Sequence, residues 1–223
     1  MKGKISEVFS SVQGEGLYLG IKQLFVRFYG CNLQCSFCDT KIDSFIEYDS
    51  EELSQEIKLY GRDFHSVAFT GGEPLLQKDF LKEALKAAKR GDYLNYLETN
   101  GTLPAQLEEV VNYVDIVAMD IKLPSSAGSS GLWSVHEEFL KVASAKEVFV
   151  KTVICSSTTQ QDIEQAVKLL YKASPSSVLV LQPDSNEKLS ALEEKLRLFK
   201  NFCRCYRITA CIIPQMHKII GVR

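Results

Sequence analysis

The chain has 223 residues, 45% hydrophobic and 24% charged, which is typical of a globular protein with one sizeable core. Its 26 basic and 28 acidic side chains are scattered and give a formal net charge of −2, which disfavours a nucleic acid or an anionic membrane as partner. No signal-peptide pattern and no apolar stretch of membrane-spanning length is present, so we expect a cytoplasmic protein.

Six short apolar runs predict β-strands, and each is followed by a segment typical of a helix. The runs cover residues 23–30, 66–72, 93–101, 115–123, 147–156 and 177–183. Their near-continuous apolar character indicates strands that are covered on both faces. The helices between them include residues 77–90 and 158–173, each with apolar residues on one face. The alternation predicts an α/β fold: a single-domain open partial (β/α)6 barrel over residues 1–223, with its site at the carboxyl ends of the strands.

Two polar, glycine-containing segments are expected to be loops. The segment SSVQGEGLYLG, residues 10–20, predicts a flexible loop whose amide and carboxylate could bind the donor and acceptor edge of a heterocycle, although a simple connector is the alternative. The segment PSSAGSSG, residues 124–131, predicts a mobile loop rather than a domain linker, because strand and helix alternation resumes after it.

Three of the seven cysteines, Cys31, Cys35 and Cys38, lie close together in CNLQCSFC. A structural zinc site needs four ligands, and the three histidines are far away in sequence, so zinc is the weaker interpretation. Three thiolates on a four-iron cluster would leave one iron open to an outside ligand. The remaining four cysteines are scattered and the total is odd, which indicates reduced thiols rather than a disulfide framework.

The segment TGGEP, residues 70–74, follows the second predicted strand. Its glycines would let the backbone approach a ligand closely, and its carbonyls could accept from an ammonium group, although a plain strand-to-helix turn has the same pattern. Together with Phe37 before the last cysteine, the spacing C-x-x-x-C-x-x-C resembles the signature of the radical S-adenosylmethionine (SAM) enzymes. The resemblance implies that SAM chelates the open iron of a [4Fe-4S] cluster, and that Gly71, Gly72 and Glu73 hold the SAM amine.

Further SAM candidates come from their positions at strand ends. Each of them has a capping or turn role as the alternative, and their grouping favours the set more than any single member. They are Glu98 and Asn100 for the ribose, Asp120 and Lys122 for the SAM carboxylate or ribose, and Gln182 for the adenosine.

Two features outside that signature indicate a substrate. Arg27 stands inside the apolar run LFVRFYG, where a buried guanidinium needs an anionic partner, either a structural acid or a substrate carboxylate. Asp39 and Thr40 directly follow the last cysteine. A hydroxyl there would suit Mg²⁺, which takes few protein ligands, and a cap on the cysteine loop is the alternative.

The combination of QGEG, FVR and GCNLQCSFCDT resembles the 7-carboxy-7-deazaguanine synthases, as do FTGGEP, LETNGT, MDIKLPSS, LQP and PQMHKIIGVR. The resemblance implies conversion of 6-carboxy-5,6,7,8-tetrahydropterin to 7-carboxy-7-deazaguanine with loss of ammonia, in 7-deazapurine (queuosine precursor) biosynthesis. It further implies a lyase that needs Mg²⁺, forms a homodimer and takes electrons from a protein such as flavodoxin or ferredoxin.

The same resemblance assigns roles to residues. Cys31, Cys35 and Cys38 would ligate the cluster, Thr40 would ligate Mg²⁺, and Phe37, Asp39 and Gly72 would line SAM. A C-terminal tail, residues 204–223, would close the site. The substrate contacts implied are Gln13, Gly14, Glu15, Arg27, Thr70 and Arg223. Two alternatives stay open: a radical SAM activase of a glycyl radical enzyme, and an iron–sulfur electron carrier that is not an enzyme.

Overall fold

The computed structural model describes residues 1–36, 38, 43–128 and 132–221. Within these residues nine strands form one sheet: β1 (Lys2–Val12), β2 (Lys22–Phe28), β3 (Ile46–Asp49), β4 (Ser66–Gly71), β5 (Leu94–Thr99), β6 (Ile116–Asp120), β7 (Glu147–Ile154), β8 (Leu179–Pro183) and β9 (Ala210–Ile212). The helices are α1 (Ser50–Leu59), α2 (Lys78–Arg90), α3 (Pro104–Val110), α4 (Pro124–Ala127), α5 (Trp133–Ala143), α6 (Gln160–Ala173), α7 (Leu189–Cys205) and α8 (Met216–Ile220).

The strand order is β3-β1-β2-β4-β5-β6-β7-β8-β9. All six predicted strands are present as β2 and β4 to β8, and successive members of this set pair in parallel. Strand β9 continues the parallel set, whereas β1 and β3 add an antiparallel edge that the sequence analysis did not predict. Within the described residues the first and last strands of this order do not pair, so the sheet is the open one that was expected.

Two hydrophobic clusters lie on opposite faces of the sheet. The larger cluster packs the outer face against the helices and includes the predicted faces of α2 and α6. The smaller cluster joins inward side chains from β1 to β8, among them Phe9, Tyr96 and Val180. Side chains at both ends of a flat sheet could not meet in this way, so the sheet is curled into a partial barrel.

An irregular register in β1 changes the face on which its side chains lie. Ile5 pairs with Phe28, but Glu7 pairs with Arg27, so one extra residue is inserted between these two pairs. A bulge of this kind reverses the alternation of a strand. Ile5 therefore belongs to the outer core, whereas Glu7 shares the inner face with Arg27.

Both predicted loops need correction. Residues 10–12 of the first loop belong to β1, and the irregular segment begins only at Gln13. In the second loop residues 124–127 form α4, because Pro124 occupies the first helical turn, where its missing N–H is not needed. Residues 129–131 lie outside the described part of the chain. Across the described helices, none has the length and apolar character needed to cross a membrane.

Candidate active site

The parallel strands repeat one pattern on the inner face: an apolar side chain followed two residues later by a polar one. Because inward positions recur every second residue, an apolar layer lies beneath a polar layer. The apolar layer consists of Phe9, Phe25, Ala68, Tyr96, Ala118, Phe149 and Val180. The polar layer consists of Glu7, Arg27, Thr70, Glu98, Asp120, Lys151 and Gln182.

The polar layer is the wall of a cavity of about 900 Å³. Three other groups of residues line the same cavity: the cysteine loop, residues 13–16 after β1, and Gln215 and His217 near the C-terminal end of the chain. The volume is at the upper end of the usual range for small-molecule sites, about 300–1,000 Å³. It has room for a cofactor and a second small ligand together.

Most predicted site residues in the described part of the chain line this cavity. The single exception is Glu73, whose carboxylate lies behind the wall. The predictions for Phe37, Asp39, Thr40 and Arg223 fall on residues outside the described part. The predicted residues that line the cavity are Gln13, Gly14, Glu15, Arg27, Cys31, Cys35, Cys38, Thr70, Gly71, Gly72, Glu98, Asn100, Asp120, Lys122 and Gln182.

The cysteine loop presents Cys31, Cys35 and Cys38 to the cavity, and within the described residues none of the three forms a disulfide. It is attached to the barrel by Ser36, whose hydroxyl donates to the Ser126 carbonyl at 2.6 Å. Among the described residues no three His, Cys, Asp or Glu side chains are grouped around a point where a single metal ion could bind. Three thiols around one cavity fit a larger group with several metal atoms, such as an iron–sulfur cluster.

Gly71 and Gly72 allow two strand ends to approach each other. A Cβ on Gly71 would lie 2.3 Å from the Phe28 carbonyl oxygen, and one on Gly72 would lie 2.0 Å from that of Gly30. Gly71 also has a φ of +129°, which a side chain would strain. Glycine is therefore required at both positions for the backbone to pack closely just before Cys31. The sequence analysis did not anticipate this reason for the two glycines.

Glu73 is a fully buried acid that ties together the turns after β4 and β5. Its carboxylate accepts from the backbone N–H of Leu75 and Asn100, at 3.0 and 2.8 Å, and from the Thr99 hydroxyl. Burial raises the pKa of Glu73 to about 7, against the opposing effect of these hydrogen bonds. These hydrogen bonds connect Glu73 to other protein groups, and its contact with SAM stays a prediction.

A hydrogen-bond network joins side chains of the cavity wall. Glu98 accepts from Gln13 Nε2 and from the Thr70 hydroxyl, both at 2.7 Å. Gln13 Nε2 also donates to Gln23 Oε1 at 3.0 Å, and Gln13 Oε1 accepts from the Glu15 N–H. The network fixes the orientation of the amide and the carboxylate that the sequence analysis assigned to substrate and SAM.

Lys151 is a charged residue of the cavity wall that the sequence analysis missed. Its ammonium forms an ion pair with Glu15 and lies 3.5 Å from Asp120 Oδ2, which also accepts from Lys122 at 2.9 Å. Burial acts to raise the pKa of Glu15, but Lys151, together with a hydrogen bond from Gln215, lowers it to about 2. A lysine inside the apolar run EVFVKTVI is the same signal that singled out Arg27.

Two buried acceptor atoms on the cavity wall have no hydrogen-bond partner within the described residues. They are Asp120 Oδ1 and Gln182 Oε1. A buried polar atom without a partner is costly, so such atoms indicate a ligand that donates to them. The ribose hydroxyls and exocyclic amine of SAM are donors of this kind, so the wall fits this cofactor.

Of the two partners considered for Arg27, the structural acid is present, and the substrate carboxylate stays a prediction. Arg27 Nε donates to Glu7 Oε1 at 2.6 Å, and its guanidinium lies 5.5 Å from the centre of the Phe9 ring. It also lines the cavity. Glu7 is this structural acid, and the bulge in β1 brings it to the inner face.

The two ends of the chain meet at the open side of the barrel. Gln215 Nε2 donates to Glu15 Oε1 at 2.6 Å, and the Met216 N–H donates to the Gly14 carbonyl at 2.9 Å. Lys218 Nζ donates to the Ser185 hydroxyl at 2.7 Å and fixes α8 to the segment after β8. The C-terminal segment is thus part of the cavity wall as far as the described residues extend.

Comparison with known proteins decides the family. The model of the radical SAM superfamily matches residues 25–196. A 7-carboxy-7-deazaguanine synthase from Geobacter sulfurreducens is 36% identical over 98% of this chain and 97% of its own length. The chain belongs to the 7-carboxy-7-deazaguanine synthase family of radical SAM enzymes.

Other members and a solved structure agree in extent and fold. The synthase of Methanothermobacter thermautotrophicus is 33% identical over 100% of this chain and 99% of its own. The crystal structure of QueE from Escherichia coli has a TM-score of 0.67, with 22% identity and coverage of 95% of this chain and 94% of that one. The fold of this radical SAM enzyme is therefore the predicted partial barrel, and its superfamily uses a [4Fe-4S] cluster and SAM.

Proposed function

We propose that this radical SAM enzyme converts 6-carboxy-5,6,7,8-tetrahydropterin to 7-carboxy-7-deazaguanine with loss of ammonia, a carbon–nitrogen lyase reaction of queuosine precursor biosynthesis. Relatives that match nearly the whole chain carry the name of this synthase. The observation that carries the proposal is one cavity lined by three thiols and by a ring of polar side chains with two cations, Arg27 and Lys151.

The thiols of Cys31, Cys35 and Cys38 would hold the cluster. The SAM carboxylate and ribose would lie toward Lys122 and Asp120, and its adenosine toward Gln182. When bound, the cluster and SAM supply hydrogen-atom abstraction from the substrate. The remaining task of the protein is to hold the reacting carbon in one place, because misplacement by about 1 Å can cost a large factor in rate.

The other side of the cavity would hold the pterin. The Arg27 guanidinium would bind the substrate carboxylate, since paired charge-assisted hydrogen bonds suit that geometry. Glu15 is ionised at neutral pH, because its pKa is about 2, so it can only accept hydrogen bonds. Together with Gln13, Gly14 and Thr70 it would bind the N–H groups of the pterin and leave little freedom for the ring.

Further parts of the proposal concern metal, partners and assembly. Mg²⁺ would bind Thr40 and the substrate carboxylate, and omission of Mg²⁺ from the assay tests this. The reductant would be a flavodoxin or a ferredoxin, and the chain would act as a homodimer in the cytoplasm. Arg223 would contribute its terminal carboxylate to the substrate, as expected for a tail that reaches the cavity.

An anaerobic turnover assay tests the function. The enzyme reconstituted with iron and sulfide is incubated with 6-carboxytetrahydropterin, SAM, Mg²⁺ and a reductant, and the product is identified by mass spectrometry. We expect 7-carboxy-7-deazaguanine and one equivalent of ammonia. Formation of deoxyadenosine only with a protein substrate would favour the activase, and a cluster whose spectrum does not respond to SAM would favour an electron carrier.

A further inference from the structure

Asn100, at the end of β5, is fixed on both sides of its backbone. Its N–H donates to Glu73 Oε2 at 2.8 Å, and its carbonyl accepts from His136 Nε2 at 3.2 Å. A carbonyl can only accept, so the His136 proton lies on Nε2. Asn100 itself is 6% exposed. The backbone of Asn100 is therefore held in place, and its side chain extends toward the cysteine loop.

The side-chain amide is oriented by the residues around it. Its Oδ1 accepts from the Thr102 N–H at 3.1 Å and from the Thr102 hydroxyl. Because two donors hold the oxygen, the nitrogen must face the other way. Nδ2 donates to Asn32 Oδ1 at 2.9 Å and points at Cys31 Sγ at 3.9 Å. An N–H donor is thus aimed at the first cysteine of the loop by contacts that involve no cluster.

This orientation has an electronic consequence when the thiol is a cluster ligand. A donor to a thiolate sulfur stabilises negative charge there, and hydrogen bonds to the sulfurs are among the factors that set the potential of an iron–sulfur cluster. The reduced cluster carries one more electron than the oxidised one, so the donor favours reduction. All polar groups of Asn100 are engaged, which leaves none for a SAM ribose.

We propose that Asn100 tunes the cluster, donating a hydrogen bond to the Cys31 sulfur and raising the reduction potential. Glu73 and His136 are positioning residues that hold its backbone. The inference rests on the cluster assigned under the proposed function, but not on the pterin substrate. A potential can be measured without substrate, so failure here and failure of the proposed reaction are distinguishable.

The test compares two variants of the full chain, reconstituted with iron and sulfide. Asn100→Leu removes the donor without adding a charge. Asn32→Ala removes the other acceptor of Asn100 Nδ2, which lies in the cysteine loop, but leaves the Asn100 donor in place. We expect the midpoint potential of Asn100→Leu, followed by electron paramagnetic resonance, to fall by about 59 mV or more, a tenfold change in the ratio of reduced to oxidised cluster. The Asn32→Ala potential should not fall.

Equal potentials in Asn100→Leu and the unaltered enzyme would overturn the proposal. An equal fall in both variants would also overturn it, since loop disorder would then be the cause. If Asn100→Leu does not retain the cluster, ¹⁵N labelling of asparagine side chains in the unaltered enzyme and in Asn32→Ala replaces it. A ¹⁵N coupling to the reduced cluster is expected in both proteins, and its absence would refute the contact.

Discussion

Replacing Lys151 with methionine removes the cation that holds Glu15 and Asp120 together on the cavity wall. Methionine has nearly the same length and keeps the packing of the aliphatic stem. Each of the three side chains is less than a fifth exposed, so water screens the two remaining carboxylates only in part, and Asp120 keeps Lys122 as a partner. Removal of one partner from a buried ion pair costs about 3–5 kcal/mol, because an uncompensated charge stays behind.

The pKa of Glu15 provides an independent magnitude and the sign of the pH dependence. It is about 2 in the folded chain, against an ordinary value of 4.5. The difference corresponds to ~3 kcal/mol of stability. A lowered pKa stabilises the fold above pH 4.5, and this stabilisation is lost as the pH falls toward 2. Without Lys151, burial dominates and the pKa of Glu15 rises.

Urea unfolding of the iron-free chain at pH 7 and pH 3 measures both effects. We expect Lys151→Met to be less stable by about 3–5 kcal/mol at pH 7, and the deficit to shrink by about 2 kcal/mol at pH 3. Lys172→Met is the matched control, because Lys172 pairs with Glu137 while 65% exposed and such pairs contribute about 0–1 kcal/mol. A deficit below about 1 kcal/mol at pH 7, or one independent of pH, would refute this reasoning.

Three further predictions concern cluster and substrate. Gly72→Ala should lower the iron content after reconstitution, because its Cβ would lie 2.0 Å from the Gly30 carbonyl oxygen; wild-type iron content would contradict this. Arg27→Ala should raise the KM for the pterin by roughly 10- to 100-fold, the loss of a charge-assisted hydrogen bond, with iron content and SAM affinity unchanged, and Glu7→Gln should have a smaller effect. If pterin affinity, iron content and SAM affinity all fall together, Arg27 is structural. Four cysteines lie outside the loop and away from the cavity: Cys155, Cys203, Cys205 and Cys211. Alanine at these positions should leave the iron content unchanged, and a loss of iron would reveal a second metal site.

The strands could be predicted because burial on both faces leaves a local signal. Apolar runs of seven to ten residues that alternate with helical segments are typical of buried parallel strands. The polar layer was partly visible for the same reason, since a charge inside such a run needs a partner. Arg27 was recognised by this argument, and the same argument applied to EVFVKTVI would have found Lys151.

Other features depend on contacts between distant segments and leave no local signal. The bulge that turns Glu7 toward Arg27 is set by pairing between β1 and β2, and simple alternation would place Glu7 on the face of Ile5. The motif TGGEP gives no indication that Glu73 is engaged by Thr99 and Asn100 behind the wall. Its burial arises only when the turns after β4 and β5 come together.

The contact between Gln215 and Glu15 joins residues 200 positions apart in the chain. At about 5–20 residues per second, a ribosome needs roughly 10–40 s to synthesise the intervening segment. The cysteine loop is synthesised early in this interval, whereas the C-terminal segment that completes the wall is synthesised only at its end. Cluster delivery to the nascent chain would therefore meet an open barrel, whereas delivery to the finished chain would meet one already closed on that side.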